Sequence, residues 1–488
     1  MAKKRIPPFA TLIHSHAKSI IAPADERTSE ERYEHGRQLR EEVPHEAHAA
    51  WTPAPDRDDP VELLKSQGVT RAQELLPLRY QRMSVSAFTF YRGGALIMAA
   101  DLAGTPATDI QVQACGDAHI SNFGFFSSPE RRTIFDINDF DETSRGPWEW
   151  DVKRLAASIE ICGRDNDMKK KDRKAAVLAC ARSYREAMAS FARMGHLDVW
   201  YAHTDVDSLF ASFSGQASKR DLKEARKTIA KAKAKNSTRA IAKLTEVVDG
   251  ELRIISDPPI IVPLRDIAER KGKAELFERV DMQKLVKLAL AEYKGTLSPD
   301  KRRLIELYRG VDVAHKVVGV GSVGTRALIV VMEGADGNDP LVLQIKEAQE
   351  SVLERFCGKS PCSQHGQRVV EGQRAMQTAS DMLLGWCRLP DQGGRSKDYY
   401  VRQLWDGKGS IDLVGIDAPR LTALAGACGW TLAHAHARTG DRFEIAGYLG
   451  EEDTFDQAIA HFARAYADQN EADYTRFMQA LESGELDV

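Results

Sequence analysis

The sequence predicts an α+β fold with a mostly helical large lobe and a small β-rich lobe. Three observations lead there. Stretches at both ends carry apolar residues at helical spacing, as in Val152, Leu155, Ala156 and Ile159. Residues 311–410 change texture, to β-branched runs punctuated by glycine, such as Leu341-Val342-Leu343-Gln344-Ile345. Between residues 111 and 141, short alternating runs flank turns rich in carboxylates.

At 488 residues the chain is long enough for more than one sizeable core. Its 43% hydrophobic and 28% charged residues are those of a soluble globular protein. A net charge of -3 gives no global basic field, so neither nucleic acid nor an anionic membrane is an expected partner. There is no run of about twenty apolar residues to span a bilayer, and the basic start lacks an apolar signal core. Seven scattered cysteines, an odd number, suit a reducing compartment, so a cytoplasmic location is expected. Cys357, Cys362 and His365 do not make a zinc spacing.

Residues 1–58, charged and proline-punctuated, read as a partly ordered arm. Helical patterning starts near Asp59 and resumes over 86–102, interrupted by Tyr91-Arg92-Gly93-Gly94. Residues 111–140 suit strands beside a loop, and 150–193 a long helical stretch. The Lys- and Arg-rich residues from Lys219 to Lys243 read as a solvated basic face or, alternatively, as a docking surface for an acidic partner. Asp249-Gly250 between apolar runs signals a hairpin, and 277–309 is helical again. These segments give a large lobe over 59–310, a small lobe over 311–410, and C-terminal helices over 411–488 that complete the large lobe. His434, His436 and Asp441 read as a helix end with a cap and packed imidazoles. Arg79, Arg82 and Arg92 precede the acidic turns, either as surface ion pairs or as contacts for a phosphate or an acidic substrate.

The chemistry concentrates in Gly116-Asp117-Ala118-His119-Ile120-Ser121-Asn122 and Phe135-Asp136-Ile137-Asn138-Asp139-Phe140-Asp141. Phosphoryl transfer requires an oriented hydroxyl, neutralised phosphates and in-line geometry. Asp117 suits the hydroxyl, and His119 sits beside it as an orienting group. Asn122 suits Mg²⁺ through its amide oxygen, and a downstream aspartate must join it, since a hard cation takes oxygen ligands. Asp136, Asp139 and Asp141 are the candidates.

The Gly-Asp-x-His-x-x-Asn segment resembles the catalytic loop of aminoglycoside phosphotransferases and choline kinases, a branch of the protein-kinase-like superfamily. That resemblance implies a catalytic Asp117 and a metal-binding Asn122. It also implies a metal-binding aspartate in the Asp-Phe-Asp segment and, about a dozen residues later, a helical aspartate that anchors the loop. Asp151 fills the last place, which selects Asp139 as the principal metal ligand, with Asp141 in support. The chain is further identified as a member of a bacterial domain-of-unknown-function family, number 2252. The segments carrying that likeness are residues 76–83, residues 88–93, the Gly116–Asn122 loop and Leu432-Ala433-His434-Ala435-His436-Ala437-Arg438.

Downstream, Gly319-Val320-Gly321-Ser322-Val323-Gly324 is a G-x-G-x-x-G. A dinucleotide fold continues such a loop as a helix. Here it continues as a strand, the arrangement of a glycine flap over ATP phosphates. Lys346, ending an apolar strand, is the expected phosphate-binding lysine. Glu371 is its expected helical partner, and Glu350 and Glu354 are alternatives. Tyr399 to Trp405 would lead to the adenine. Flap and lysine follow the catalytic loop instead of preceding it, so the expectation is a circularly permuted kinase-like fold. It would use ATP and Mg²⁺ to phosphorylate an unidentified hydroxyl-bearing acceptor. AMP transfer, a non-catalytic nucleotide-binding role, and a metal-dependent phosphoesterase using Asp117, His119, Asp136 and Asp139 are the rival readings.

Overall fold

The computed structural model describes residues 25–204, 237–248, 251–269, 282–317, 324–336, 339–390, 396–404 and 406–487. The fold is α+β. Its organising element is the helix Trp148–Asp165, buried on nearly every side. Buried charges are costly without partners, and this helix spends each of its own on a neighbouring segment. Glu149 accepts from the Thr108 amide and hydroxyl, Lys153 donates to Thr105, and Glu160 meets Arg164 and Arg173. Asp151 and Arg154, three residues apart and so on adjacent positions of one face, both turn to the loop at 115–117. The helices Lys170–Ala192 and Ala418–Thr439 pack along each other, and Thr454–Glu482 lies against Trp148–Asp165. The C-terminal helices thus share one core with residues 61–199.

Beside this core lie the short strands that carry the acidic turns. Strand β1 (Gln111–Ala114) runs into the Gly116–Asn122 loop. Strands β2 (Phe123–Ser127) and β3 (Thr133–Ile137) form an antiparallel pair, and β4 (Ser144–Pro147) returns to pair with β1. The expected hairpin is present as β5 (Thr245–Val248) against β6 (Glu251–Ile254), with Val248 opposite Glu251; the Asp249-Gly250 turn itself lies outside the described residues.

An antiparallel six-stranded sheet follows: β7 (Ile261–Pro263), β8 (Arg309–Lys316), β9 (Ala327–Glu333), β10 (Pro340–Ala348), β11 (Gly385–Pro390) and β12 (Ser396–Gln403), in the order β11-β12-β10-β9-β8-β7. A two-residue strand β13 (Gly409–Ser410) adds to β2. Strand periodicity divides the sheet's side chains. Leu341, Leu343 and Ile345 of β10 and Tyr399 and Val401 of β12 join Tyr293, Leu297 and Ile305 on one face. Val342 and Leu404 share the other face with Ala240, Leu244 and Ile254. Gln344, Lys346, Tyr400 and Arg402 belong by alternation to this second face, at its polar end.

Two expected boundaries move. The helices Met282–Gly295 and Pro299–Ile305 cover the sheet, and β7 is part of it, so the β-rich region begins well before residue 311. An amphipathic helix presents the same pattern whether it covers a sheet or other helices. The N-terminal arm, from Ser29 to Glu42, is a helix docked on Arg442–Leu449. Thr28 and Glu31 close a capping box, and Arg40 donates to the Tyr448 carbonyl at 2.6 Å. The helix that carries Glu371 is His365–Met376. Most of the basic stretch from Lys219 lies outside the described residues, which begin again at the helix Ser237–Leu244. No described helix is long and apolar enough to cross a membrane.

Candidate active site

The loop that carries Asp117 is built from below by Asp151. One carboxylate oxygen accepts from the Cys115 amide at 2.5 Å and the other from the Gly116 amide at 3.0 Å. His436, on the helix Ala418–Thr439, contacts the same carboxylate at 3.2 Å and Tyr184 at 2.8 Å. Gly116 has φ +77°, and a Cβ there would lie 2.3 Å from the Glu142 carbonyl oxygen. Both the backbone sign and the close approach therefore call for glycine. The turn delivers Asp117 half-buried, with Oδ1 bound by Arg154 through Nε at 2.6 Å and Nη2 at 2.5 Å. Oδ2 has His119 Nε2 at 3.7 Å. His119 is buried, and burial pushes its pKa down to about 3, so it is a neutral ring packed beside the carboxylate. The Asn122 amide nitrogen donates to the Asp117 carbonyl at 2.7 Å, which fixes the side chain and leaves its oxygen as the remaining acceptor.

The three downstream aspartates separate. Asp136 is buried and turned away, accepting from the Thr378 amide at 3.0 Å and the Ile137 amide at 2.8 Å, and burial raises it to about 6. Asp139 is partly exposed and accepts from the Asp141 amide at 3.2 Å. Asp141 meets the sheet: Lys346 of β10 makes an ion pair with it, and the Tyr400 hydroxyl of β12 donates to it at 2.8 Å. Lys346 and Tyr400 are direct cross-strand partners, so one rung of the sheet grips the carboxylate. Burial alone would raise Asp141, but the Lys346 ammonium outweighs it and holds the carboxyl below its ordinary value. Burial would likewise depress Lys346, but Asp141 holds it above its ordinary value.

The pairing of Lys346 with Glu371 is not formed. Glu371 is exposed and bonds Gln367 at 2.7 Å. Glu350 is exposed, and Glu354 pairs with Arg368 at 3.2 Å. The helix His365–Met376 instead turns Arg368 inward, where Nη2 donates to the carbonyls of Asp141 at 2.9 Å and Gln349 at 2.7 Å. A helix face chosen by the period of apolar residues does not reveal which flanking charge turns inward.

Of the glycine-rich loop, Gly319, Gly321 and Ser322 lie outside the described residues. Gly324 has φ +94°, its carbonyl accepts from the Ala72 amide at 2.8 Å, and a Cβ on it would meet Arg71 at 2.9 Å. Arg71 is buried within electrostatic reach of Asp141 and Glu142, which brings the loop's end near the Lys346 rung. Three further cations border the acids. Arg402 donates to Gln344 at 3.0 Å and lies under the influence of Asp139 and Asp141. Lys408 donates to the Asn138 carbonyl at 3.0 Å, and burial lowers it to about 7. Arg92, in the helix Ala87–Gly93, faces Asp117 and Asp139. The sequence held a signal for Arg154, in the spacing from Asp151, and for Arg402, in the alternation from Tyr400. Lys408 had none, since a lysine beside a two-residue strand looks like any loop lysine.

Oxygen donors suit Mg²⁺, which is held by one or two carboxylates together with phosphate oxygens and water. The Asn122 amide oxygen and the Asp139 carboxylate fit that role. Asp141 fits it less well, since Lys346 and Tyr400 engage both of its oxygens. Among the described residues, no three His, Cys, Asp or Glu side chains converge to cage a metal without a ligand's help. His434 and Asp441 serve the fold, the first bonded to the Val199 carbonyl and the second capping the helix Arg442–Leu449.

A family model described as "Uncharacterized protein conserved in bacteria (DUF2252)" matches residues 71–480, and the chain belongs to that family. No curated protein and no solved structure matches it.

Proposed function

We propose that the chain is an ATP- and Mg²⁺-dependent phosphotransferase with a two-lobed, circularly permuted kinase-like fold, acting on a small hydroxyl-bearing acceptor. The observation that carries this reading is the ion pair between Lys346 and Asp141, 205 residues apart in the chain. It brings the sheet that ends the glycine-rich segment onto the loop next to Asp117. The order of elements supports the permutation: the six-stranded sheet follows the catalytic loop, and the helix Ala418–Thr439 returns to the helical core.

In this reading the acceptor hydroxyl lies against Oδ2 of Asp117, while Arg154 on Oδ1 holds the carboxylate in place. The hydroxyl oxygen attacks the γ-phosphorus, the bond to the ADP oxygen breaks, and the hydroxyl proton passes to Asp117 and on to solvent. Lys346, Arg402 and Lys408 supply positive charge to the phosphates. Asn122 and Asp139 would hold Mg²⁺, which would supply charge neutralisation at the phosphates.

AMP transfer would use the same groups, and the mass of the product separates adenylate from phosphate. A phosphoesterase built on Asp136 has less support, because that carboxylate is bonded to the Thr378 backbone. A nucleotide sensor would bind Mg²⁺–ATP without forming a product. The test is Mg²⁺–ATP turnover in Asp117→Asn and Asp139→Ala, with folding checked by circular dichroism. Asp117→Asn is expected to lose about 10²–10⁴-fold, the usual contribution of a positioned base. Unchanged turnover in folded Asp139→Ala removes the metal assignment.

A further inference from the structure

We infer that the acceptor carries an anionic group, a phosphate or a carboxylate, near its reactive hydroxyl, and that Arg92 receives it. The inference rests on the phosphotransferase reading and adds the class of substrate.

Two buried arginines that meet the helix Ala87–Gly93, Arg154 and Arg79, bind protein acceptors, although Nε and Nη1 of Arg79 stay unpartnered. Arg154 binds Asp117 and the Tyr91 carbonyl at 3.0 Å. Arg79 donates to Gln67 at 2.5 Å and to the Gly93 carbonyl at 3.1 Å. Arg92 lies between the two residues whose carbonyls they bind, Tyr91 and Gly93, and is half-buried, with its Nε enclosed and without a hydrogen-bond partner. Among the described residues, no ion pair or hydrogen bond engages its guanidinium. An enclosed Nε given no partner is costly, and the planar fork of this half-exposed guanidinium matches the two oxygens of a carboxylate or phosphate.

Its position distinguishes it from the other cations. Lys346, Arg402 and Lys408 are grouped around Asp139 and Asp141, on the sheet side. The carboxylates that act on Arg92 are Asp117 and Asp139, and it is felt in turn by His119. Arg92 thus answers to Asp117 and Asp139 but not to Asp141, the partner of Lys346. With the nucleotide phosphates on the sheet side, Arg92 is left on the side from which an acceptor reaches Asp117. In the transfer, the acceptor O–H attacks the γ-phosphorus, ADP departs with the bridging oxygen, and Asp117 takes the proton. Arg92 exchanges no proton and acts by holding the acceptor's anion. An amine or quaternary ammonium acceptor would place like charges together.

The test is calorimetric titration of the full-length protein, with Mg²⁺ and a non-hydrolysable ATP analogue present. The ligands are glycerol 3-phosphate, malate, glycerol and choline. Binding of glycerol 3-phosphate or malate, but not of glycerol or choline, is the expected result, and the better of the two anions tells phosphate from carboxylate. Arg92→Met is expected to weaken that anion about 10–100-fold, the worth of one charge-assisted contact, with the affinity for the analogue unchanged. Arg92→Lys is expected to recover part of the loss. Equal binding of glycerol or choline overturns the inference, as does equal weakening of anion and analogue in Arg92→Met, which would assign Arg92 to the nucleotide. Binding of the analogue with neither anion also overturns it. Failure of the wild-type protein to bind the analogue instead defeats the parent reading, a result distinguishable from the others.

Discussion

Removing the Asp151 carboxylate should unmoor the loop that presents Asp117. Asp151 is 1% exposed and accepts two backbone N–H groups, from Cys115 and Gly116, besides its contact with His436. Asp151→Ala leaves two buried donors unpaired, each costing about 1–3 kcal/mol, so the loop should lose about 3–5 kcal/mol. Asp151→Asn keeps one acceptor oxygen and turns an NH₂ toward the other donor, which should cost about 2 kcal/mol. Hydrogen exchange read by mass spectrometry on peptides covering 111–123 localises the effect. At tenfold per 1.4 kcal/mol, the Cys115 and Gly116 amides in Asp151→Ala should exchange about 10²–10⁴-fold faster. Amides in the helix Thr454–Glu482 should keep their protection, because no Asp151 contact reaches them. Wild-type exchange at Cys115 and Gly116, with less than about 1 kcal/mol lost in urea unfolding, would refute the anchoring role.

Other perturbations divide the site from its scaffold. Lys346→Met strands Asp141; breaking a fully buried pair costs about 3–5 kcal/mol, and because a quarter of the Asp141 side chain is exposed the expected loss is nearer 2 kcal/mol. Urea unfolding measures it, and adding Asp141→Asn should recover part of it. Glu371→Ala should stay within about 0.5 kcal/mol of the parent and leave Mg²⁺–ATP affinity unchanged; a loss of affinity would restore the pairing with Lys346. Lys153 is buried, and burial lowers its pKa from 10.5 to about 8. The unfolded chain then binds more protons between those values, so this group's penalty is full below pH 8 and disappears as pH rises to 10.5. The shift corresponds to about 3 kcal/mol, reduced by the bond to Thr105 that Lys153→Met also loses. Thermal unfolding should show the variant more stable than the parent at pH 7, with the difference closing by pH 10.

What could be read before any coordinates was whatever depends on local spacing. The 245–254 hairpin follows from Asp-Gly between apolar runs, and the helix Pro60–Gly68 starts where Asp59 caps it. Asp151, expected to anchor the Gly116–Asn122 loop, accepts from the amides at its start. Lys346 follows the apolar run of β10 that suggested an inward-facing lysine, and it is buried against Asp141. Pairings across the chain were not readable in this way. Nothing in a helical wheel says that Arg368 turns inward while Glu371 stays in water. Nor does a strand-end lysine disclose that its partner lies 205 positions upstream, at Asp141. The docked N-terminal helix was missed for another reason. Its capping box was present at Thr28 and Glu31, but its mostly charged surface resembles a solvated arm, and only the packing against Arg442–Leu449 makes it part of the fold.

The most direct test is a crystal structure with Mg²⁺ and a non-hydrolysable ATP analogue. The triphosphate should lie between Lys346 and Asp139, with magnesium on Asn122 and Asp139 and the terminal phosphate facing Asp117. A nucleotide bound away from Lys346, or a site that stays empty at millimolar analogue, would contradict the account.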